Sequence, residues 1–240
     1  MRFLIPLTLI VLSGCGQASA DAAGQSAGEA RFDVSNFDGV ALLGPDNVRV
    51  LPGASFSVRA TGPKAVLDTL VIHVDHGILK VDRKRPSGWL SVSEKQKGKA
   101  EVIVTMPLIR SAALSGAGAL TIAAPTAPDQ FAANLSGAGD LTVQDAASKR
   151  VAAHLSGSGD IVLRGATDML AADLSGSGDI NASGLPVRLA DLRLSGVGDI
   201  RAQVHERAQG SLSGVGDIEV RGGAQCALRK SGVGAVNCAP

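Results

Sequence analysis

Leu155-Ser156-Gly157-Ser158-Gly159-Asp160-Ile161 is the third of seven copies of one phrase, Leu-Ser-Gly-x-Gly-Asp-[Ile/Leu], with serines at Ser115, Ser136, Ser156, Ser175, Ser195, Ser213 and Ser231. The intervals are 21, 20, 19, 20, 18 and 18 residues. A period of that length marks a solenoid, in which each repeat is one turn of chain that buries its apolar side only by stacking on its neighbours. After the corner, Ile161, Leu163, Leu170 and Leu174 are spaced for strands, with a turn at residues 164–167 between them. The next corner, Ser175-Gly176-Ser177-Gly178, uses glycine where stacked backbones approach too closely for a side chain. With equivalent strands about 4.8 Å apart, seven coils rise about 34 Å. The expected fold is all-β: a right-handed, single-stranded β-helix solenoid of about seven coils over residues 111–240.

Residues 31–110 lack the repeat but keep β character. Alternation or β-branched runs occur at residues 37–42, 48–50, 55–59, 78–81 and 101–105. Turn signals separate them: Gly44-Pro45-Asp46-Asn47, Pro52-Gly53, Gly62-Pro63, His76-Gly77 and Pro86-Ser87-Gly88. One short helix is expected within residues 64–70. This segment reads as an antiparallel sheet that enters the solenoid at Met106-Pro107 and covers its first coil. The far end looks like a cap, because the seventh repeat puts Lys230 in place of the leucine and Ala235 in place of the aspartate.

The amino terminus addresses location. Arg2 is followed by an apolar stretch over residues 3–11, too short to span a bilayer, and then by Leu12-Ser13-Gly14-Cys15. This resembles the lipobox of a bacterial lipoprotein, which implies removal of residues 1–14 and acylation of Cys15. The alternative is an ordinary secretory signal with an incidental cysteine. A multi-chain lipid anchor at about 0.8 kcal/mol per buried methylene is effectively permanent, so the lipid bilayer becomes a partner. The residue after Cys15 is Gly16 and not Asp, and resemblance to sorted lipoproteins then implies the outer membrane. Residues 15–30, rich in Gly, Ala, Ser and Gln, read as a flexible tether.

Loss of Arg2 with the leader takes one from 23 basic residues and leaves them level with 22 acidic ones. A general nucleic-acid binder needs a basic excess, so no nucleic acid is expected as a partner. With Cys15 acylated, Cys226 and Cys238 remain; in an oxidising compartment they read as a disulfide stapling the last coil, with two free thiols as the alternative.

The lipobox, the Phe37-Asp38-Gly39-Val40 opening, the Val-x-Val-x-Pro-Gly-x-Ser-Phe-Ser-Val pattern over residues 48–58, the Val-x-Val-x-Met-Pro entry over residues 102–107 and the tandem corners together resemble the bacterial head-GIN-domain family, also described as auto-transporter adhesins. The resemblance covers nearly the whole chain beyond the leader. It implies a β-helical solenoid in the cell envelope with an adhesin-like binding or structural role. It brings no catalytic residues and no cofactor.

Parallel β-helices also host polysaccharide lyases and glycosidases, so a carbohydrate-active enzyme is the competing class. Asp140, Asp160, Asp179, Asp199 and Asp217 should form a ladder with rungs near the ~5 Å carboxylate separation of retaining glycosidases. Catalysis needs two carboxylates in contrasting environments, whereas five equivalent positions argue for a repeated structural job. Aromatic platforms for sugar are scarce: the chain has Trp89, five Phe and no Tyr. No Gly-x-Ser-x-Gly, His-Glu-x-x-His or phosphate loop occurs. The His73-x-x-His76 pair could clasp a metal, but its spacing suits a strand end and turn, and no metal site is assigned.

Two surfaces stay open as ligand candidates. The aspartate ladder either accepts backbone N–H groups of its own or adjacent corners, or binds calcium in the manner of Gly-Gly-x-Gly-x-Asp β-rolls, from which it departs in the first Gly, the Asp position and the number per coil. The stretch over residues 80–99 carries seven basic residues against two acidic ones, with Arg83, Lys84, Arg85 and Trp89 at its centre. That combination suits anionic lipid or an acidic envelope polymer. An envelope or extracellular protein or glycan is the remaining partner class.

Overall fold

The structure is a computed structural model, described here for residues 27–84 and 98–240. The strands in chain order are β1 (Ala27–Phe32), β2 (Gly39–Leu42), β3 (Asn47–Pro52), β4 (Ser57–Pro63), β5 (Leu70–Asp75), β6 (Ile78–Arg83), β7 (Glu101–Met106), β8 (Ser111–Leu114), β9 (Ala119–Ile122), β10 (Gln130–Leu135), β11 (Asp140–Ala146), β12 (Arg150–Leu155), β13 (Ile161–Gly165), β14 (Thr167–Leu174), β15 (Ile180–Leu194), β16 (Ile200–Leu212), β17 (Ile218–Arg221), β18 (Gln225–Lys230) and β19 (Val236–Cys238). One short helix, α1 (Lys64–Leu67), follows β4. It stops short of residue 70 because Leu70 is already buried in β5.

Two parallel walls meet at the Ser-Gly-x-Gly corners. The first stacks β8, β10, β12, β14, the second half of β15, the second half of β16, and β18. The second stacks β9, β11, β13, then the first halves of β15 and β16, then β17 and β19. The motif leucines pair rung on rung, from Leu114 through Leu135, Leu155, Leu174 and Leu194 to Leu212, and each is 1 % exposed or less. Leu141, Ile161, Ile180, Ile200 and Ile218 form the facing column, all fully buried. Full burial of such a side chain contributes about 1.5–3 kcal/mol, so these two columns carry much of the stability. The solenoid makes about six turns, one fewer than the seven coils expected, since seven corners enclose six intervals.

The antiparallel strands anticipated before the repeats are present, and they cover the leading edge. β5 pairs with β6 through a tight turn in which His76 and Gly77 both have positive φ, 49° and 75°, as a two-residue hairpin requires. β4 pairs with β7, and β1 with β4. β6 and β7 also join the parallel stack through their other edges: β2 and β3 lie between β6 and β7 on one side and β8 and β9 on the other. The stack therefore crosses the boundary expected at residue 110. It does so out of chain order, because β6 and β7 form the outermost rung and β8 then resumes on the other face of β2.

The tether expected through residue 30 also ends earlier. Residues 27–30 are strand, with Ala27 opposite Pro63 and Ala30 opposite Ala60. Nothing apolar in Ala27-Gly28-Glu29-Ala30 announces a strand; the open edge of β4 supplies the backbone partners. At the other end Lys230 stands in register with Leu212, in the interior column but exposed. A charge in that column opposes the addition of a further rung.

Candidate functional site

Each corner is built from backbone hydrogen bonds to the rung below. Ser156 and Gly157 N–H both donate to Leu135 O, at 2.9 and 3.2 Å, and Ser158 N–H donates to Gly137 O at 2.8 Å. A Cβ on Gly157 would lie 2.0 Å from Gly137 O, so this position is closed to any side chain. The backbone then turns to the rung above, Ile161 N–H donating to Asp179 O at 2.9 Å.

That turn places the aspartates head to tail. Asp140 Oδ1 accepts the N–H of Asp160 at 3.4 Å, Asp160 that of Asp179 at 2.9 Å, and Asp179 that of Asp199 at 2.8 Å. Asp199 accepts from Asp217 at 2.9 Å and Asp217 from Ala235 at 2.6 Å. Every one of the five carboxylates thus spends one oxygen on the same donor, the N–H of the equivalent residue one turn on. Arg201 takes up the second oxygens where the row is least exposed, with Nη2 2.6 Å from Asp199 Oδ2 and Nη1 3.2 Å from Asp179 Oδ2. Its pKa is raised, first by the hydrogen bond to Asp179. Among the described residues no group of three or more His, Cys, Asp or Glu side chains gathers as a metal site.

The structure adds a corner that sequence reading took for a plain turn. Leu42-Leu43-Gly44-Pro45-Asp46-Asn47-Val48 stacks under Leu114-Ser115-Gly116-Ala117-Gly118-Ala119-Leu120 with the corner hydrogen bonds intact: Ser115 and Gly116 N–H donate to Leu42 O, and Ala117 N–H to Gly44 O. Asn47 holds the aspartate position, and its Oδ1 accepts Ala119 N–H at 3.2 Å. The signal was there as Leu-x-Gly-x-x-Asn-Val, obscured by four substitutions, at Leu43, Asp46, Asn47 and Val48. The second corner glycine is replaced by Asp46, fully buried, which Arg83 clamps with Nε 2.8 Å from Oδ2 and Nη2 on Oδ1 while Ala100 N–H donates to Oδ1 at 2.7 Å.

This accounts differently for part of the basic patch. Arg83, expected to face an anionic surface, is 14 % exposed and committed to Asp46, because a buried carboxylate requires a charged partner. Lys80 is bonded to Asp75, whose pKa is lowered chiefly by that bond. Lys84 is exposed, whereas Arg85 and Trp89, like Cys15, lie outside the described residues. His73 sits on β5 and His76 in the following turn, its Nδ1 2.7 Å from Asp75 Oδ1. Cys226 on β18 and Cys238 on β19 are joined as a disulfide, with Cα atoms 6.6 Å apart.

A groove of about 750 Å³ lies on the outer face of the first wall. Sequence reading missed it, because it is made by outward residues of successive coils: Arg150, Met169, Leu189 and Arg207 in one column, with Asp191 and Gln209 beside them. Aligning the repeats and reading down the outward positions would have brought these residues together.

The sequence model of the family described as "Putative auto-transporter adhesin, head GIN domain" matches residues 36–224. Among solved structures the chain is similar to one described as a putative adhesin from Bacteroides fragilis, with TM-score 0.79, 20 % identity, and coverage of 88 % of this chain and 96 % of that one. It is likewise similar to a putative adhesin from Parabacteroides distasonis (TM-score 0.69, 18 % identity, 88 % and 96 % covered). A putative lipid binding protein from the same species shares the fold as well (TM-score 0.66, 18 % identity, 88 % and 96 % covered). No curated protein matches the sequence.

Proposed function

We propose that this chain, which belongs to the head GIN domain family of auto-transporter adhesins, is a lipid-anchored binding module of the cell envelope without catalytic activity. The family match over both the leading rungs and the repeats is the observation that carries the adhesin-like role. The anchor rests on Leu12-Ser13-Gly14-Cys15, and the tether between Cys15 and β1 would hold the solenoid just off the outer membrane. The non-catalytic reading is supported by the aspartate row, in which five carboxylates make one repeated backbone bond and none pairs with a second carboxylate as acid and base.

The test is fractionation and attachment in the native cell. Wild-type protein sediments with outer membranes, Cys15→Ala releases it to the soluble fraction, and cells lacking the protein attach less well to an extracellular-matrix or cell-surface substratum. Unchanged fractionation of Cys15→Ala would remove the anchor, and unchanged attachment by the deletion strain would remove the adhesin-like role.

A further inference from the structure

The groove on the outer face of the first wall has the layout of a peptide site. In its first column Arg150, Met169, Leu189 and Arg207 are consecutive rungs, in register through β12, β14, β15 and β16. The backbones of Arg150 and Arg207 therefore stand three rungs, about 14 Å, apart, with Met169 and Leu189 between them and Arg150 Nη2 3.8 Å from Met169 Sδ. Neither Arg150 nor Arg207 joins an ion pair among the described residues, although most of the other arginines there do. Met169 is 38 % exposed, one of only five large apolar side chains so exposed among the described residues. Beside Leu189, Asp191 binds Arg193 through Oδ2 at 2.8 Å, while its Oδ1 is buried and has no hydrogen-bond partner.

The geometry points to an extended acidic peptide as the occupant, lying along the solenoid axis with two carboxylates on Arg150 and Arg207 and an apolar side chain on Met169 and Leu189. Four residues of extended chain span about 13 Å, which matches the rung separation of Arg150 and Arg207 and lies within reach of their flexible side chains. Bidentate guanidinium–carboxylate pairing fixes the two ends. A backbone N–H of the same peptide can share Asp191 Oδ2 with Arg193, and Gln209 on the next rung offers a carboxamide to the peptide backbone. The groove is lined by no Phe, Tyr or Trp on which a sugar ring would stack, and its one ring, His205, is turned to Gly222 O at 3.3 Å, which favours peptide over glycan. This deepens the adhesin-like reading by naming the chemistry of its ligand, and it rests on that reading.

The experiment titrates the full chain in detergent micelles with a fluorescent, end-blocked Glu-Ser-Leu-Ser-Glu peptide. Saturable binding with Kd of about 0.1–1 mM is expected, weakening as salt rises. Arg150→Ala and Arg207→Ala should each weaken it about tenfold, and so should a Gln-Ser-Leu-Ser-Gln peptide. Arg229→Ala, exposed on the same wall in another column, should leave it unchanged, with melting curves showing that all variants fold. Absence of saturation at about 5 mM peptide, wild-type affinity in the Arg150 and Arg207 variants, or stronger binding of an oligogalacturonate than of the peptide would each overturn the proposal. If the peptide fails while cells lacking the protein still lose attachment, only the groove is refuted. If attachment is unaffected, the adhesin-like reading falls first.

Discussion

Asp179 Oδ1 accepts the backbone N–H of Asp199 at 2.8 Å, and Arg201 bridges the remaining oxygens of the two carboxylates. One side chain thus locks two consecutive turns, and the repeat of that bond along the corner gives the solenoid a polar seam beside its leucine column. The acceptor oxygen matters to the seam, and the charge does not, since Asn47 performs the same task for Ala119.

Asp179→Asn should therefore lose only the ion pair with the partly exposed Arg201, about 0–1 kcal/mol. Asp179→Ala also orphans the Asp199 N–H and should cost about 1–3 kcal/mol. Denaturant melts separate the two, and equal losses would show that the hydrogen bond contributes nothing.

Calcium should do little. One oxygen of every ladder aspartate already accepts an N–H, and Arg201 occupies the second oxygens of Asp179 and Asp199. Thermal melts in calcium and in chelator are expected to agree within about 2 °C. A rise of ten degrees with calcium would establish the β-roll alternative.

The corner glycines answer to contact distance. A Cβ at Gly157 would lie 2.0 Å from Gly137 O, whereas at Gly44, the equivalent place in the first corner, the nearest atom is 3.6 Å away. Gly157→Ala should destabilise by about 3 kcal/mol or prevent folding, and Gly44→Ala by less than about 1 kcal/mol. Comparable melting temperatures for the two variants would refute the stacking geometry.

Arg83→Ala strands the Asp46 carboxylate in the interior and should cost about 3–5 kcal/mol. Adding Asp46→Gly, which restores the corner residue used in the other repeats, should recover much of that loss. A double variant no more stable than Arg83→Ala would mean that the pair does more than neutralise Asp46.

The Cys226–Cys238 staple closes a separation of 12 residues, for which chain entropy gives about 3 kcal/mol. Denatured, unreduced protein should show no titratable thiol beyond any at Cys15. The double Ser variant should speed hydrogen exchange in β18 and β19 while leaving β10 to β14 protected, because solenoid contacts run between neighbours. Global loss of protection would contradict that nearest-neighbour behaviour.

The period of the corners and the alternation of Ile161, Leu163, Leu170 and Leu174 determined, from sequence alone, that this chain is an all-β solenoid with leucine and isoleucine inside. Both are local and repeated, so one turn predicts the next. The aspartate row was visible too, although the donor each carboxylate takes became clear only when one turn lay on another. Tertiary structure decided the rest. Only stacking inserted β2 between β6 and β8 and β3 between β7 and β9, recruited Ala27-Gly28-Glu29-Ala30 to the edge of β4, and turned Arg83 from the expected patch onto Asp46. It alone assembled the groove of Arg150, Met169, Leu189, Asp191 and Arg207, whose members lie on successive turns. The reason is common to all of these: the period fixes which face of each strand turns inward, but open edges, buried charges and outward columns depend on which strand comes to lie alongside.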